Sequence, residues 1–128
     1  MSDEIRLVSE ATQTIYKSSG GSEIVLVKVG TDLLMTTKEI ARLYGVGRPT
    51  ITRHLLKLFS VGKLNKKLVS SILTNKASDG KLYRTTFYTT QAIIAVGFSL
   101  KTPEAKLFQQ WLIDQNAGNY QPSIEGYL

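Results

Sequence analysis

Residues 45–55, GVGRPTITRHL, contain the signals of a sharp turn followed at once by a helix. Gly45 suits the left-handed conformation in which many helices end. Pro49 suits the first position of the next helix, where no backbone N–H is needed. Arg48 precedes a proline, is disfavoured in helical conformation and can act as the boundary. The stretch therefore predicts two helices joined by a tight turn.

The residues before this turn predict a short first helix. Thr36 and Glu39 have the spacing of a capping box, so a helix is expected from about residue 37 to residue 44. A helix-turn-helix needs a small residue on its first helix, a glycine four residues later, an apolar residue directly after the glycine and a β-branched residue six after it. The chain meets these requirements in order with Ala41, Gly45, Val46 and Ile51.

The second helix has two chemically different sides. Ile51, Leu55 and Leu58 recur at intervals of four and three residues, which predicts one buried stripe. Thr50 and Arg53 lie on the other side, and Lys57 continues that side. The helix is therefore expected to expose hydroxyl groups and cations.

The positive charge of the chain is concentrated around this motif. The sequence has 128 residues, a net charge of +6 and no cysteine, which excludes disulfides and thiolate metal sites. Nine lysines and arginines lie between residues 36 and 76, against Glu39 alone. A segregated basic segment is typical of a protein that binds a polyanion, although an ordinary solvated surface could carry the same charges.

The remaining sequence predicts an α+β winged helix-turn-helix domain over residues 23–118. Residues 1–22, which end in SSGGS, are expected to form a flexible arm. An N-terminal β-hairpin should follow over 23–35. After a short helical segment from about Asn65, the dipeptide Asp79–Gly80 predicts a second hairpin, which we interpret as the wing.

Two C-terminal helices complete the expected domain. Thr89 or Thr90 can cap the first, and Pro103 opens the second. The second helix has an apolar stripe that is expected to be core, with a dimer seam as the alternative; its residues are Ala105, Phe108, Trp111 and Leu112. Residues 119–128 are expected to be a tail.

Several segments together resemble the RhuM-type domain (the virulence protein RhuM family), which is prokaryotic and phage-associated. The resemblance covers roughly residues 22–120 and rests on GVGRPTITRHL, the DGK-Y hairpin, the IIAVGF run and the F-x-x-W helix. It implies a cytoplasmic, sequence-specific DNA-binding module from a phage or mobile element.

A helix-turn-helix with these side chains predicts binding to double-stranded DNA, with the helix at about residues 49–58 in the major groove. Its candidate contacts are Arg48, Pro49, Thr50, Thr52, Arg53 and Lys57. Candidate flanking phosphate contacts are Lys38, Arg42, Lys63, Lys66 and Lys67. Candidate wing contacts are Lys76, Lys81 and Arg84. The two arginines of the helix could bind guanine or phosphate. A single helix reads few base pairs, so a homodimer acting as a transcriptional regulator is expected.

Other functions fit the sequence less well. An enzyme such as a nuclease or toxin is not expected, because the carboxylates are scattered and His54 is the only histidine. No metal, cofactor, small-molecule substrate or membrane span is predicted. His54 is expected to be a partly buried imidazole beside the first helix, although it could touch phosphate.

A protein-interaction adaptor, such as an anti-repressor or anti-defence factor, is the main alternative to DNA binding. A duplex RNA reader is disfavoured because the RNA major groove is narrow.

Overall fold

The computed structural model describes residues 5–7, 12–30, 32–76 and 78–119 of the chain. These residues form an α+β fold in which one sheet is covered by helices. The strands are β1 (Ile5–Leu7), β2 (Thr12–Lys17), β3 (Glu23–Val29), β4 (Asp32–Thr36), β5 (Ser70–Lys76) and β6 (Leu82–Thr89). The helices are α1 (Thr37–Tyr44), α2 (Arg48–Ser60), α3 (Lys66–Val69), α4 (Thr90–Leu100) and α5 (Glu104–Asn119).

Both predicted hairpins are present, but they belong to one sheet. Its strand order is β1-β5-β6-β4-β3-β2, and every neighbouring pair is antiparallel except β1 with β5. The hairpin β3–β4 joins the hairpin β5–β6 through β4 and β6, where Met35 lies opposite Tyr88. The hairpin interpreted as a wing is therefore attached along one strand to the rest of the sheet.

The prediction of a flexible arm is wrong for residues 12–22. Strand β2 pairs with β3 from Thr12 opposite Lys28 to Lys17 opposite Glu23. Tyr16 is buried in the main core. Residues 1–4 and 8–11 of the predicted arm lie outside the described residues. At the other end α5 reaches Asn119, while the rest of the predicted tail, 120–128, lies outside them as well.

The helices pack on one face of the sheet and form the main core with it. Tyr16, Ile24, Leu26 and Met35 project from three strands into this core, where they meet residues of α1, α2, α4 and α5. The predicted apolar stripe of α5 is confirmed as core, since Ala105 and Phe108 are fully buried and Trp111 packs against them. The rings of Tyr16 and Phe108 meet edge to face, with centroids 5.1 Å apart.

The opposite face of the sheet has a smaller apolar cluster of its own, formed by Val27, Leu34, Leu73 and Phe87. Chain length shows that the sheet cannot be flat. The pairing registers would separate Leu7 from Thr12 by about 30 Å in a flat sheet, whereas the chain between them can reach at most about 19 Å. The sheet must therefore curl strongly to bring Leu7 and Thr12 within reach of each other.

The capping of the C-terminal helices differs from expectation. Thr89 is the N-cap residue of α4, but its side chain makes no capping hydrogen bond, and its buried hydroxyl has no partner among the described residues. Helix α5 begins at Glu104, one residue after Pro103, and the Glu104 N–H donates to the Thr102 hydroxyl at 3.3 Å. Of these two C-terminal helices, α5 therefore has a side-chain cap and α4 does not.

Two buried tyrosines predict a loss of stability at high pH. Burial, reinforced by the nearby Glu104 carboxylate, raises the pKa of both Tyr16 and Tyr44 above the ordinary value of 10.0. The two tyrosines therefore ionise more easily in the unfolded chain than in the folded one. Their ionisation leaves the free energy of unfolding unchanged below about pH 10 and lowers it above this pH. We expect a loss of about 1.4 kcal/mol per pH unit for each tyrosine above this point.

Thermal melts between pH 8 and pH 11 measure this effect. The double variant Tyr16→Phe/Tyr44→Phe is the control, because it lacks both ionisable groups and should show a much weaker dependence on pH. Equal alkaline slopes for the two proteins would contradict the assignment.

Candidate nucleic-acid interface

Helix α1 is fixed to the sheet by its first turn. Thr36 caps it as predicted, and its hydroxyl accepts a hydrogen bond from the Glu39 N–H at 3.2 Å. The second half of the predicted capping box is absent, because the Glu39 carboxylate accepts instead from the Val25 N–H of β3, at 3.2 Å. This hydrogen bond from Val25 to Glu39 therefore fixes the first turn of α1 against β3.

The turn between α1 and α2 has the predicted geometry. Gly45 adopts the left-handed conformation, with φ of 68°, and its N–H donates to the Ala41 carbonyl. The Val46 N–H donates to the same carbonyl at 3.0 Å. Helix α2 starts one residue earlier than expected, because Gly47 is its N-cap residue and Arg48 is already helical. Arg48 thus belongs to the first turn of α2.

The inner side of α2 is seated in the core as its periodicity predicts. Ile51 is 0% exposed, and Leu55 and Leu58 are also buried. His54 is partly buried as expected, but its partner lies on α4 and not on α1. A hydrogen bond of 2.7 Å joins His54 Nδ1 to the Ser99 hydroxyl. These contacts fix which side of α2 faces outward.

The outward side of α2 exposes most of the predicted contact residues. Arg48, Pro49, Thr52, Arg53 and Lys57 are exposed, and Thr50 is half-buried. An open concavity of about 720 Å³ lies along this side. Its lining residues are Thr37, Arg48, Pro49, Thr52, Arg53 and Leu56. Four of the six residues predicted on this helix therefore meet in one surface, which does not include Thr50 or Lys57.

The cations exposed on the outward side of α2 have no acidic partners among the residues that the structure describes. From residue 40 to residue 78 the sequence contains eight lysines and arginines and no aspartate or glutamate. In the part of the chain that the structure describes, the one ion pair joins Arg42 to Glu39, at 3.5 Å. The positive charge of Arg48, Arg53 and Lys57 is therefore not neutralised within the described protein.

The predicted flanking cations are exposed but are not gathered at the concavity. Arg42 is partly engaged by Glu39, as described above. The other flanking candidates are exposed on α1, on the loop after α2 and on α3, and they are Lys38, Lys63, Lys66 and Lys67. None of these five residues lines the concavity. Their exposure leaves them accessible to an anion outside the concavity.

The tip of the β5–β6 hairpin is less cationic than predicted. Lys81 and Arg84 are exposed, whereas the side chain of Lys76 is outside the described part of the structure. The Asp79 carboxylate accepts from the Lys81 N–H and from the Tyr83 hydroxyl, both at 2.9 Å. These two hydrogen bonds lower the pKa of Asp79. An ionised carboxylate therefore lies beside the lysine of the tip.

Two residues of the concavity were missed in the sequence. Thr37 begins α1 and Leu56 lies on the outward side of α2. Leu56 carried a usable signal, because it is the leucine of the LLKL run that falls off the buried stripe set by Ile51, Leu55 and Leu58. Thr37 has no such signal in the sequence, because its position in the concavity depends on how α1 packs beside α2.

Glu104 forms a second polar cluster that the sequence analysis did not single out. Glu104 is 7% exposed and lies at the start of α5. Its Oε2 accepts from the Tyr16 hydroxyl at 2.5 Å. Its Oε1 accepts from the hydroxyl and the N–H of Ser19, at 2.5 Å and 3.2 Å. Tyr16 belongs to β2 and Ser19 to the turn after it, so these hydrogen bonds join the start of α5 to both.

Comparisons of the chain with protein-family models, with curated proteins and with solved structures found no match. The resemblance to RhuM-type domains therefore stays a prediction.

Within the described ranges, no three histidine, aspartate or glutamate side chains converge as metal ligands. The helices described here include none that is both long enough and apolar enough to cross a bilayer.

Proposed function

We propose that this protein binds double-stranded DNA sequence-specifically through the outward side of α2, as a transcriptional regulator. One observation carries the proposal: a helix whose inner side is buried in the core presents Arg48, Thr52 and Arg53 on an open surface, where they have no acidic partner within the described ranges. A DNA major groove accepts a helix of this kind, because the groove is about 12 Å wide.

In this arrangement the first two turns of α2 meet the bases. Arg48 and Arg53 provide guanidinium groups for guanine or phosphate, and the Thr52 hydroxyl can bond a base edge or a phosphate. Lys57 lies further along the helix and is suited to phosphate. The helix-turn-helix with the β5–β6 hairpin as its wing, and a homodimer on a palindromic site, complete the proposed binding mode.

A protein-interaction adaptor is the second candidate, and one observation favours it. Pro49 and Leu56 add apolar surface to the concavity, as a partner-binding site would require. The unneutralised cations beside them favour DNA. Selection of bound sequences from a random-sequence DNA pool at physiological salt separates the two functions, since an adaptor should enrich no common sequence.

We expect Arg53→Ala to weaken binding to a selected DNA site by about 10- to 100-fold, the range for one lost arginine contact to a base. Arg53 is exposed and outside the core, so the melting temperature should hardly change. Fluorescence anisotropy measures the affinity, and a thermal melt checks the fold. Lys106→Ala is the matched control, because it removes an exposed cation from α5. Unchanged affinity of a folded Arg53→Ala protein would remove this surface from the proposal.

Salt dependence tests the same surface independently. With about half of the predicted cations engaged, affinity should fall by about two to four decades between about 50 mM and about 200 mM salt. If Arg53 contacts phosphate, Arg53→Ala reduces the salt slope by about one and weakens all sequences equally. If it contacts guanine, the variant loses preference at one base pair. Affinity that does not respond to salt would contradict a DNA-backbone interface.

A further inference from the structure

Leu56 lies among the residues proposed to contact DNA, yet it is apolar and 59% exposed. It follows Thr52 by four residues and Arg53 by three, so the three side chains are neighbours on the helix surface. All three line the same concavity. The outward side of α2 therefore contains one large apolar side chain within a surface of hydroxyl groups and cations.

Only one group in the DNA major groove matches such a side chain. Phosphates and base edges present hydrogen-bond donors and acceptors, whereas the C5-methyl group of thymine is apolar. We propose that Leu56 is a specificity-determining residue that packs against a thymine methyl group in the bound site. This inference rests on the proposed binding of DNA by α2.

The helix geometry limits where that thymine can lie. Three residues of α-helix rise about 4.5 Å, which is close to the rise of about 3.4 Å per base pair. The thymine should therefore lie within one or two base pairs of the group that Arg53 contacts. Selected DNA sites should share a thymine at this position in each half-site.

Replacing thymine by deoxyuridine tests the contact without altering the protein. The exchange removes the methyl group and keeps every hydrogen-bonding group of the base. We expect unaltered protein to lose affinity about fourfold at one thymine of each half-site, which corresponds to one buried methyl group. The Leu56→Ala protein should bind the two DNA versions equally, because it no longer covers the methyl group. Anisotropy titrations with a selected site and its single-uracil versions provide all four affinities.

The matched control is Ile113→Ala, which shortens another exposed apolar side chain, on α5. This variant should keep the fourfold preference for thymine. If DNA binds but no thymine replacement lowers the affinity, or if the loss persists in Leu56→Ala, the inference is wrong while the proposed function stands. If no DNA binds at low salt, the proposed function and the inference both fail.

Discussion

Replacing Gly97 with alanine should destabilise the protein by about 3 kcal/mol, because overpacking a rigid core costs energy of this order. Gly97 lies in α4, where a Cβ atom would come within 2.5 Å of both the Ala105 Cβ and the Tyr44 hydroxyl oxygen. Neither group can move away freely. Tyr44 is buried and its hydroxyl donates to the Ile93 carbonyl at 2.7 Å, while Ala105 is fully buried in α5. The melting temperature should fall by about 12 °C.

Gly20→Ala is the matched control for this prediction. No atom lies within 4 Å of a Cβ at that position, so the control should melt close to the unaltered protein. Combining Gly97→Ala with Tyr44→Phe removes one of the clashing atoms and should cost less than the sum of the two single changes. A Gly97→Ala protein that is as stable as the control would show that α4 and α5 are further apart than described.

Glu104→Ala should have an effect of similar size. The change removes the acceptor of three hydrogen bonds and leaves the Tyr16 hydroxyl buried without its partner. Losing charge-assisted hydrogen bonds and stranding a buried donor together should cost about 3 kcal/mol. Chemical denaturation measures this loss as a lower transition midpoint with an unchanged slope.

One further variant separates the hydrogen bonds of Glu104 from its charge, and another controls for the loss of an exposed carboxylate. Glu104→Gln keeps one acceptor oxygen and should lose less stability than Glu104→Ala. Glu23→Ala removes an exposed carboxylate from the start of β3 and should cost little. The effects of Glu104→Ala and Tyr16→Phe should not add, since each removes the same hydrogen bond. Fully additive effects would mean that the two side chains do not interact.

The two helices α1 and α2 and the tight turn between them could be predicted from sequence because their determinants are local. The Thr36 cap, the left-handed Gly45 and the proline near the start of α2 act within a few residues of themselves, and all have the expected roles. The stripe of Ile51, Leu55 and Leu58 likewise fixed the buried side of α2 correctly. The first residue of α2 and the partners of Glu39 and His54 differ from expectation.

The sheet could not be predicted in full because its pairings join distant residues. Strand β2 carried a local signal that was missed, because four of the six residues of TQTIYK are the strand-forming types Thr, Ile and Tyr. Its pairing with β3 has no local signal. The joining of the two hairpins by β4 and β6 has no local signal either. The Glu104 cluster escaped notice for the same reason, since its partners Tyr16 and Ser19 are 88 and 85 residues away.

The candidate site was predictable to the extent that it lies on one helix. Arg48, Pro49, Thr52 and Arg53 meet as expected because a helix places residues three and four apart side by side. The contribution of Thr37 depends on the packing of two helices and was not visible. The cations predicted for the wing lie beside a turn whose geometry was not visible either, and in that turn the Asp79 carboxylate accepts from the Lys81 N–H and the Tyr83 hydroxyl.

The bond between Tyr16 and Glu104 also bears on how the protein is made. The ribosome synthesises β2 before α5, and Tyr16 and Glu104 are 88 residues apart in the chain. Their hydrogen bond can therefore form only after α5 has begun to leave the ribosome. Until then the aromatic cluster of Tyr16, Phe108 and Trp111 cannot assemble. Nascent chains halted before residue 104 should therefore lack the closed core and be open to chaperones and proteases.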